Sequence, residues 1–476
     1  MPQHPLGKLL QPASIAVVGA SNNPRSSGSQ FTSALIEYGY KGRIFPINPK
    51  SDRILDMPAY PRVSAVPEPV DYVISAIPAA GVLDLMEDCA QKGVKLIHLF
   101  TARFGETGRK DAADLERRVL EVARQGNVRI IGPNCMGLYV PRQGIAFSDA
   151  LPKAFGNVGL ISQSGQMAEE ITRYGAHRGV FFSKAISYGN ALDLNECDFL
   201  EFLTEDEETK VILMYMEGIR DGKRFPGLLK AAAAKKPVVV LKGGRGNSGR
   251  RAAASHTASL AGSQKVLTSV LEQAGAALAG TAEELIDLAA IFLLAPPITG
   301  YGVAVAGGGG GASVLSADEC EESGLSVVPL PDDIRATLKE NGSAIWDWVN
   351  NPVDMSIRDS EGFTPGVMLE LMDQNPAYDL LIAIMSDPHH ERQRDTTPDQ
   401  ILEQFHLDKL GKKPLLAVVA NRPLGGPDYN HWAWKIMCEL RTKLLDASIP
   451  FFPSMTRAAT AARKAADYYL KRGREA

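Results

Sequence analysis

The sequence predicts an α/β protein built from doubly wound parallel sheets. Three observations predict it. Short apolar runs alternate with helix-period segments along nearly the whole chain, and strict strand–helix alternation implies parallel strands joined by crossover helices. Glycine is abundant, 44 of 476 residues, while aromatic residues make up 7%, a balance that favours strand–loop–helix units with tight turns over a β-sandwich. Finally, several strands run directly into loops of small residues that open a helix, as at Gly19–Gly28, 162–165 and 307–311.

At about 100–200 residues per domain, the length suggests three domains. In the first, residues 1–145, strands are expected at 14–18, 43–47, 71–76, 94–100 and 128–131, with helices around 29–40, 80–92 and 109–125. This is a Rossmann-like pattern. The pattern lapses at 141–156. A second series, residues 150–297, has strands at 158–162, 181–187, 210–216 and 237–241, with helices at 165–178, 194–204, 223–234, 263–274 and 282–294. The third, residues 298–476, has strands at 301–305, 325–328, 379–385, 414–420 and 450–452, with helices at 313–322, 332–340, 364–374, 432–445 and 456–469. The second and third series echo one another, each opening with a glycine, an apolar strand, a small-residue loop and a helix.

Composition narrows the function. Lys plus Arg is 51 and Asp plus Glu is 55, a net charge of −4, so the chain is not built for general nucleic-acid binding. Cys89, Cys135, Cys197, Cys320 and Cys438 are scattered, and none forms a CxxC pair; no zinc site and no disulfide framework is expected, and no metal is assigned to this chain. The N-terminus lacks a secretory pattern. The most apolar stretch, 285–297, contains Asp287 and ends in two prolines, too short to span a bilayer. A soluble, cytoplasmic protein is expected.

The first loop reads Gly19-Ala20-Ser21-Asn22-Asn23-Pro24-Arg25-Ser26-Ser27-Gly28. Small residues let the backbone approach a phosphate at a helix N-terminus, and Arg25 adds a cationic, bidentate donor. The glycines are too far apart for a GxGxxG fingerprint. The second strand ends in Asn48-Pro49-Lys50, where a dinucleotide enzyme usually carries Asp or Glu for the ribose. Lysine attracts a phosphate instead, which disfavours NAD and favours a 3′-phosphorylated adenosine, as in coenzyme A. Two further strand-end loops, Ile77-Pro78 and the one opening at Thr101, share that edge, as does Gly132-Pro133-Asn134-Cys135-Met136-Gly137. No histidine lies near Cys135 in sequence, so it reads as a packing residue rather than a nucleophile.

The most informative stretch runs from Leu241 to Ala261. About 20 residues of Gly, Ala, Ser and Arg separate a strand from a helix, and loops of that length inside compact domains are usually functional or disordered. Residues 231–265 contain no acidic residue but carry Lys235, Lys236, Lys242, Arg245, Arg250, Arg251 and Lys265, a basic field suited to an anion such as phosphate. His256 sits within it. Positive surroundings keep an imidazole neutral, and its free nitrogen can attack phosphorus to give a phosphohistidine. The turn Ser162-Gln163-Ser164-Gly165 offers backbone N–H groups and hydroxyls to a phosphate. Glu217, at the end of the strand 210–216, can orient the imidazole. The pair His389-His390 has no supporting acidic pattern for a metal.

Taken together, Gly132-Pro133-Asn134-Cys135, Ser162-Gln163-Ser164-Gly165, Glu217-Gly218 and Ser255-His256-Thr257-Ala258-Ser259-Leu260-Ala261-Gly262 resemble the α subunit of NDP-forming acyl-CoA synthetases. These include ADP-forming acetyl-CoA synthetase, with succinyl-CoA synthetase a more distant relative. The resemblance implies a CoA-binding Rossmann-like domain followed by two flavodoxin-like domains. It implies that His256 is phosphorylated, with Glu217 as its carboxylate partner, and that Ser162, Ser164 and Gly165 hold the phosphate. CoA would contact Gly19, Ala20, Ser21, Arg25, Ser27, Gly28, Asn48, Lys50, Ile77, Pro78 and Thr101, and Asn134 would lie near the acyl group. The implied reaction joins a carboxylic acid to CoA with ATP, through acyl phosphate and phosphohistidine. ATP/ADP and Mg²⁺ belong in this family to an ATP-grasp part, which is not found here, so a separate β subunit is expected, in a hetero-oligomer such as α2β2.

This sequence departs from the family pattern at Ala258, where relatives carry glycine, at Gly244-Arg245-Gly246-Asn247, and in the five-glycine run 307–311. A non-catalytic CoA- or acyl-CoA-binding regulatory protein is the second reading, motivated by the missing ATP-grasp part and opposed by the intact histidine loop. An NAD-dependent oxidoreductase is the third, opposed by Lys50.

Overall fold

The structure is a computed structural model that describes residues 4–249, 251, 264–355, 363–385, 388, 390–419 and 430–475. The chain divides into two compact units, Met1–Leu285 and Ile286–Ala476.

The first unit holds two large sheets. The first contains β1 (Ser14–Val18), β2 (Arg43–Ile47), β5 (Tyr72–Ser75), β6 (Leu96–Leu99) and β7 (Arg129–Ile131), all parallel, in the order β2-β1-β5-β6-β7. A small hairpin of β3 (Arg53–Ile54) and β4 (Met57–Pro58) stands apart. β1 is buried along its whole length, as an apolar strand covered on both faces must be. The helices are α1 (Pro5–Leu9), α2 (Ser27–Glu37), α3 (Val82–Lys92) and α4 (Lys110–Gln125). Ser26 fixes the start of α2 by accepting the Ser29 N–H at 3.2 Å, satisfying one of the free N–H groups of the first turn. α3 stops at Gly93, which is left-handed at φ 81°. Val18, Val73, Ile97, Met86 and Val119 form the core under α3 and α4.

The second sheet contains β8 (Gly137–Tyr139), β9 (Val158–Ser162), β10 (Phe182–Ser187), β11 (Val211–Met216), β12 (Val238–Lys242) and β13 (Ala277–Ala279), in the order β13-β12-β11-β9-β10-β8. Its helices are α5 (Gly165–Ala176), α6 (Glu196–Glu205), α7 (Phe225–Lys235) and α8 (Gln264–Ala274), and α9 (Ala282–Leu294) runs across the boundary between the two units. β8 was not expected. It runs antiparallel to β10, pairing Leu138 with Ile186, so residues before position 145 belong to the second sheet. Three residues show no periodicity, and only the partner strand makes this segment a strand. β13, also three residues long, lacks periodicity for the same reason.

The second unit holds β14 (Gly302–Ala306), β15 (Ser326–Val327), β16 (Leu380–Met385), β17 (Leu415–Val419) and β18 (Phe451–Phe452), all parallel, in the order β15-β14-β16-β17-β18. Around it lie α10 (Gly310–Glu322), α11 (Asp332–Glu340), α12 (Pro365–Gln374), α13 (Pro398–Glu403), α14 (Trp432–Asp446) and α15 (Met455–Glu475). Asn351 anchors the irregular segment before α12. Its side chain accepts the Val305 N–H and donates to the carbonyls of Val303 and Val328, each at 2.8 Å.

Counted by appearance among its parallel strands, each large sheet has the order 2-1-3-4-5. That order places a topological switch point beside strand 1, where doubly wound sheets bind ligands at the carboxyl edge. Among the described residues, no helix is long and apolar enough to cross a membrane.

Candidate active site

The switch point of the first sheet lies between the ends of β1 and β5. β1 leads into Gly19, at φ 89°, where an added Cβ would stand 2.8 Å from the Ala76 carbonyl oxygen. Gly28, in the first turn of α2, packs so closely on the Gly19 carbonyl that a side chain cannot fit. The loop between them is tied internally: Ser21 and Ser26 hydroxyls lie 2.7 Å apart, and Asn23 Oδ1 accepts the Arg25 N–H at 3.0 Å. Ala20 is buried, Ser21 and Ser27 are half-buried, and the Arg25 side chain is exposed. Asn48 joins this loop to the end of β2. Its Nδ2 donates to the Ala20 carbonyl at 2.8 Å and its Oδ1 accepts the Lys50 N–H at 2.8 Å. Lys50 is exposed beside that turn.

Next to this loop is a cleft of about 520 Å³, lined by Ala76, Ile77, Pro78, Phe100, Thr101, Ala102, Asn134, Cys135, Met136, Ser164, Gly165 and Gln166. Six expected site residues therefore meet in one cavity: Ile77, Pro78, Thr101, Asn134, Ser164 and Gly165. The glycine loop, Asn48 and Lys50 do not line it. Gly19 abuts it, because its hypothetical Cβ would also touch Ile77 Cγ2 at 3.1 Å.

Hydrogen bonds set the shape of the cleft. Thr101 Oγ1 donates to the Ile77 carbonyl at 2.5 Å, and the Asn134 N–H donates to the Thr101 carbonyl at 3.0 Å. Asn134 is left-handed at φ 59°. His98, fully buried, holds the Cys135 carbonyl through Nε2 at 2.8 Å. Burial lowers the His98 pKa to about 4, against the raising effect of that carbonyl bond. The ring is thus neutral at pH 7, with the proton on Nε2. Burial pushes the Cys135 thiol up, well out of the nucleophilic range.

The far wall is the turn from β9 into α5. Ser164 caps α5, its hydroxyl accepting the Met167 N–H at 3.3 Å. Ser162 is buried, and its hydroxyl donates to the Ser164 carbonyl at 2.6 Å; it shapes the turn rather than lining the cavity. Gly165 leaves room for the Met136 side chain, which a Cβ would strike. The result is a helix N-terminus opening on the cavity, with the partial positive charge that favours an anion.

Glu217 lies behind this turn. Gln163 Oε1 accepts the N–H groups of Glu217 at 2.7 Å and Gly218 at 3.0 Å. Tyr215 Oη donates to Glu217 Oε1 at 3.3 Å, and Lys242 Nζ donates to the Glu217 carbonyl at 2.7 Å. Lys242 is itself buried and opens the basic stretch. Arg245 is anchored on the Gly280 carbonyl at 2.7 Å. His256 lies outside the described residues, as does His389. Among the described residues, no group of three His, Cys, Asp or Glu side chains forms a metal-holding cluster.

Gln163, Asn190 and Arg220 carry hydrogen bonds around the cleft that the sequence does not announce. Gln163 lies inside the turn at 162–165, but nothing in the sequence pairs it with Glu217 and Gly218. Asn190 and Arg220 are isolated polar residues in turns, with no spacing that marks them.

Two family models match the chain: the CoA binding domain over residues 13–141 and the succinyl-CoA ligase like flavodoxin domain over residues 155–292. Over 417 residues the chain is 37% identical to the α subunit of ADP-forming acetate–CoA ligase II of Pyrococcus furiosus, covering 87% of this chain and 89% of that one. The chain belongs to the α-subunit family of ADP-forming acyl-CoA ligases. An ADP-forming 4-hydroxybutyrate–CoA ligase of Nitrosopumilus maritimus is 32% identical over 86% of this chain and 58% of its own length. Among solved structures, the acetyl-coenzyme A synthetase 1 of Ca. Korarchaeum cryptofilum, in complex with phosphate and ADP, superposes with a TM-score of 0.82 at 30% identity, over 99% of this chain and 98% of that one. This ADP-forming acyl-CoA ligase α subunit is an acid–thiol ligase component with a CoA-binding domain, and the non-catalytic reading is not favoured. Its cleft is the place where the CoA-binding domain faces the helix N-terminus of the ligase domain.

Proposed function

We propose that this chain makes acyl-CoA from a carboxylic acid, CoA and ATP, through an acyl phosphate and a phosphohistidine at His256. The supporting observation is the shared cleft: Ile77, Pro78 and Thr101 on the CoA side, Ser164 and Gly165 at a helix N-terminus, and Asn134 between them. In the thioester-consuming direction, a phosphate oxygen attacks the thioester carbonyl and the C–S bond breaks. The CoA thiolate leaves and takes a proton, giving acyl phosphate. An imidazole nitrogen of His256 then attacks phosphorus, and the P–O bond to the acyl group breaks, releasing the carboxylate. Ser164 and Gly165 hold the phosphoryl oxygens. Glu217 accepts the remaining ring N–H and stabilises the imidazolium character that develops.

The phosphoryl group passes from there to ADP. The relatives named as α subunits imply a partner β subunit. We assign ATP/ADP and Mg²⁺ to that partner, as an ATP-grasp subunit in an assembly such as α2β2. CoA is held by Gly19, Ala20, Ser21, Arg25, Ser27, Gly28, Asn48 and Lys50.

The test is to incubate the chain with acetyl-CoA and ³²P-labelled orthophosphate, then with a panel of longer and aromatic acyl-CoA thioesters. The reading requires covalent, acid-labile and alkali-stable label on the protein with at least one thioester. No label with any of them would refute it.

A further inference from the structure

We infer that Asn190 is a positioning residue for thioester–phosphate exchange, locking three loops of the cleft into one register; the inference rests on the ligase reading above. Asn190 follows β10, is 2% exposed, and sits between two left-handed residues, Gly189 at φ 56° and Ala191 at φ 55°. A non-glycine residue in that region persists only where its surroundings fix it. A side chain on Gly189 would overlap the carbonyl oxygens of Pro133 and Asn134, so the turn is pressed directly against the Gly132–Cys135 loop.

Every polar group of Asn190 is used across a loop boundary. Its backbone N–H donates to the Pro133 carbonyl at 2.9 Å. Its Oδ1 receives Asn134 Nδ2 at 3.5 Å, and its Nδ2 donates to Glu106 Oε2 at 2.8 Å. Glu106 in turn accepts the Phe104 N–H at 3.0 Å, closing the loop that opens at Thr101. The Asn190 carbonyl accepts Arg220 Nη2 at 2.6 Å and Nε at 3.1 Å. Arg220 is three residues beyond Glu217, and its own N–H is fixed on Glu196 Oε1 at 2.6 Å. One buried residue thus links three segments: its side chain joins the Thr101 loop to Asn134, and its backbone carbonyl holds Arg220 of the segment carrying Glu217.

An acyl group that moves from sulfur to a phosphate oxygen, followed by phosphoryl transfer to a ring nitrogen, needs these three loops held within a fraction of an ångström. Asn190 is not among the residues that line the cleft. It acts through Asn134 and Glu106.

The reciprocal pairing makes the test specific. In Asn190→Asp, two carboxylates face each other and must share a proton. In Asn190→Asp with Glu106→Gln, the donor and acceptor simply trade places, and the amide oxygen introduced at position 106 still accepts the backbone N–H. The readouts are the single-turnover rate of ³²P labelling from acetyl-CoA, or whichever panel thioester labels the wild-type chain, and ³²P-orthophosphate, CoA affinity by calorimetry, and melting temperature. Asn190→Ala is expected to label about tenfold or more slowly while binding CoA within about threefold of wild type. The Asn190→Asp rate is expected to fall as pH rises from about 5 to 8, as the shared proton is lost. The double variant is expected to recover to within about threefold of wild type, with a flat profile. A wild-type rate in Asn190→Ala, or a double variant no better than Asn190→Asp, would overturn the inference while leaving the ligase reading intact. A wild-type chain that takes no label with any thioester would overturn both.

Discussion

The side-chain carbonyl of Gln163 receives the backbone N–H of Glu217 at 2.7 Å and that of Gly218 at 3.0 Å. The turn from β9 into α5 and the carboxylate-bearing strand end are thereby one piece, although Gln163 and Glu217 stand 54 positions apart in the chain. Replacing Gln163 with leucine leaves two buried N–H groups without that acceptor. At about 1–3 kcal/mol for each unmet group, urea denaturation should show a loss of order 3 kcal/mol. Gln163→Glu keeps an acceptor and should lose less than the leucine variant. Equal losses would show that the carbonyl is not what holds Glu217.

Lys50 belongs to the CoA site if its charge faces a phosphate. Its position is set by the backbone bond to Asn48 and by Asn48 on Ala20, so Lys50→Glu should leave the fold in place. Reversing an exposed charge next to a phosphate should weaken CoA about tenfold at low salt, and by less as ionic strength rises. Calorimetry at two salt concentrations measures this. Unchanged affinity at both would remove Lys50 from the site.

His98 makes stability depend on pH. Its folded pKa is lowered to about 4 from 6.5, chiefly by burial. Between those values the unfolded chain binds a proton that the folded chain refuses. The contribution of the neutral ring is therefore complete above about pH 6.5 and is lost as pH falls towards 4, by about 3 kcal/mol in all. His98→Gln offers the Cys135 carbonyl another donor and does not titrate, so its stability should change less over that window. An identical pH slope in both proteins would show that His98 does not titrate on unfolding.

Much of this was legible in advance, for identifiable reasons. β1 and β2 are fully delimited in the sequence because each apolar run ends at a glycine, asparagine or proline. The cleft residues Ile77, Thr101 and Asn134 were legible because each follows a strand at the carboxyl edge of one parallel sheet. What stayed hidden is of a different kind. β8 becomes a strand only by pairing with β10. Asn190 becomes a hub only when three loops distant in sequence close around it. Cys135 reads as packing from the sequence, and its burial agrees. His256, which the sequence singles out by its basic, glycine-rich surroundings, lies outside the residues that the structure describes.

Phosphoenzyme formation in wild type and His256→Asn, measured side by side with ³²P-orthophosphate and a thioester that labels the wild-type chain, tests the central claim. The wild-type chain should take up acid-labile label and the variant none, with CoA affinity by calorimetry the same in both. Full labelling of His256→Asn would contradict the account.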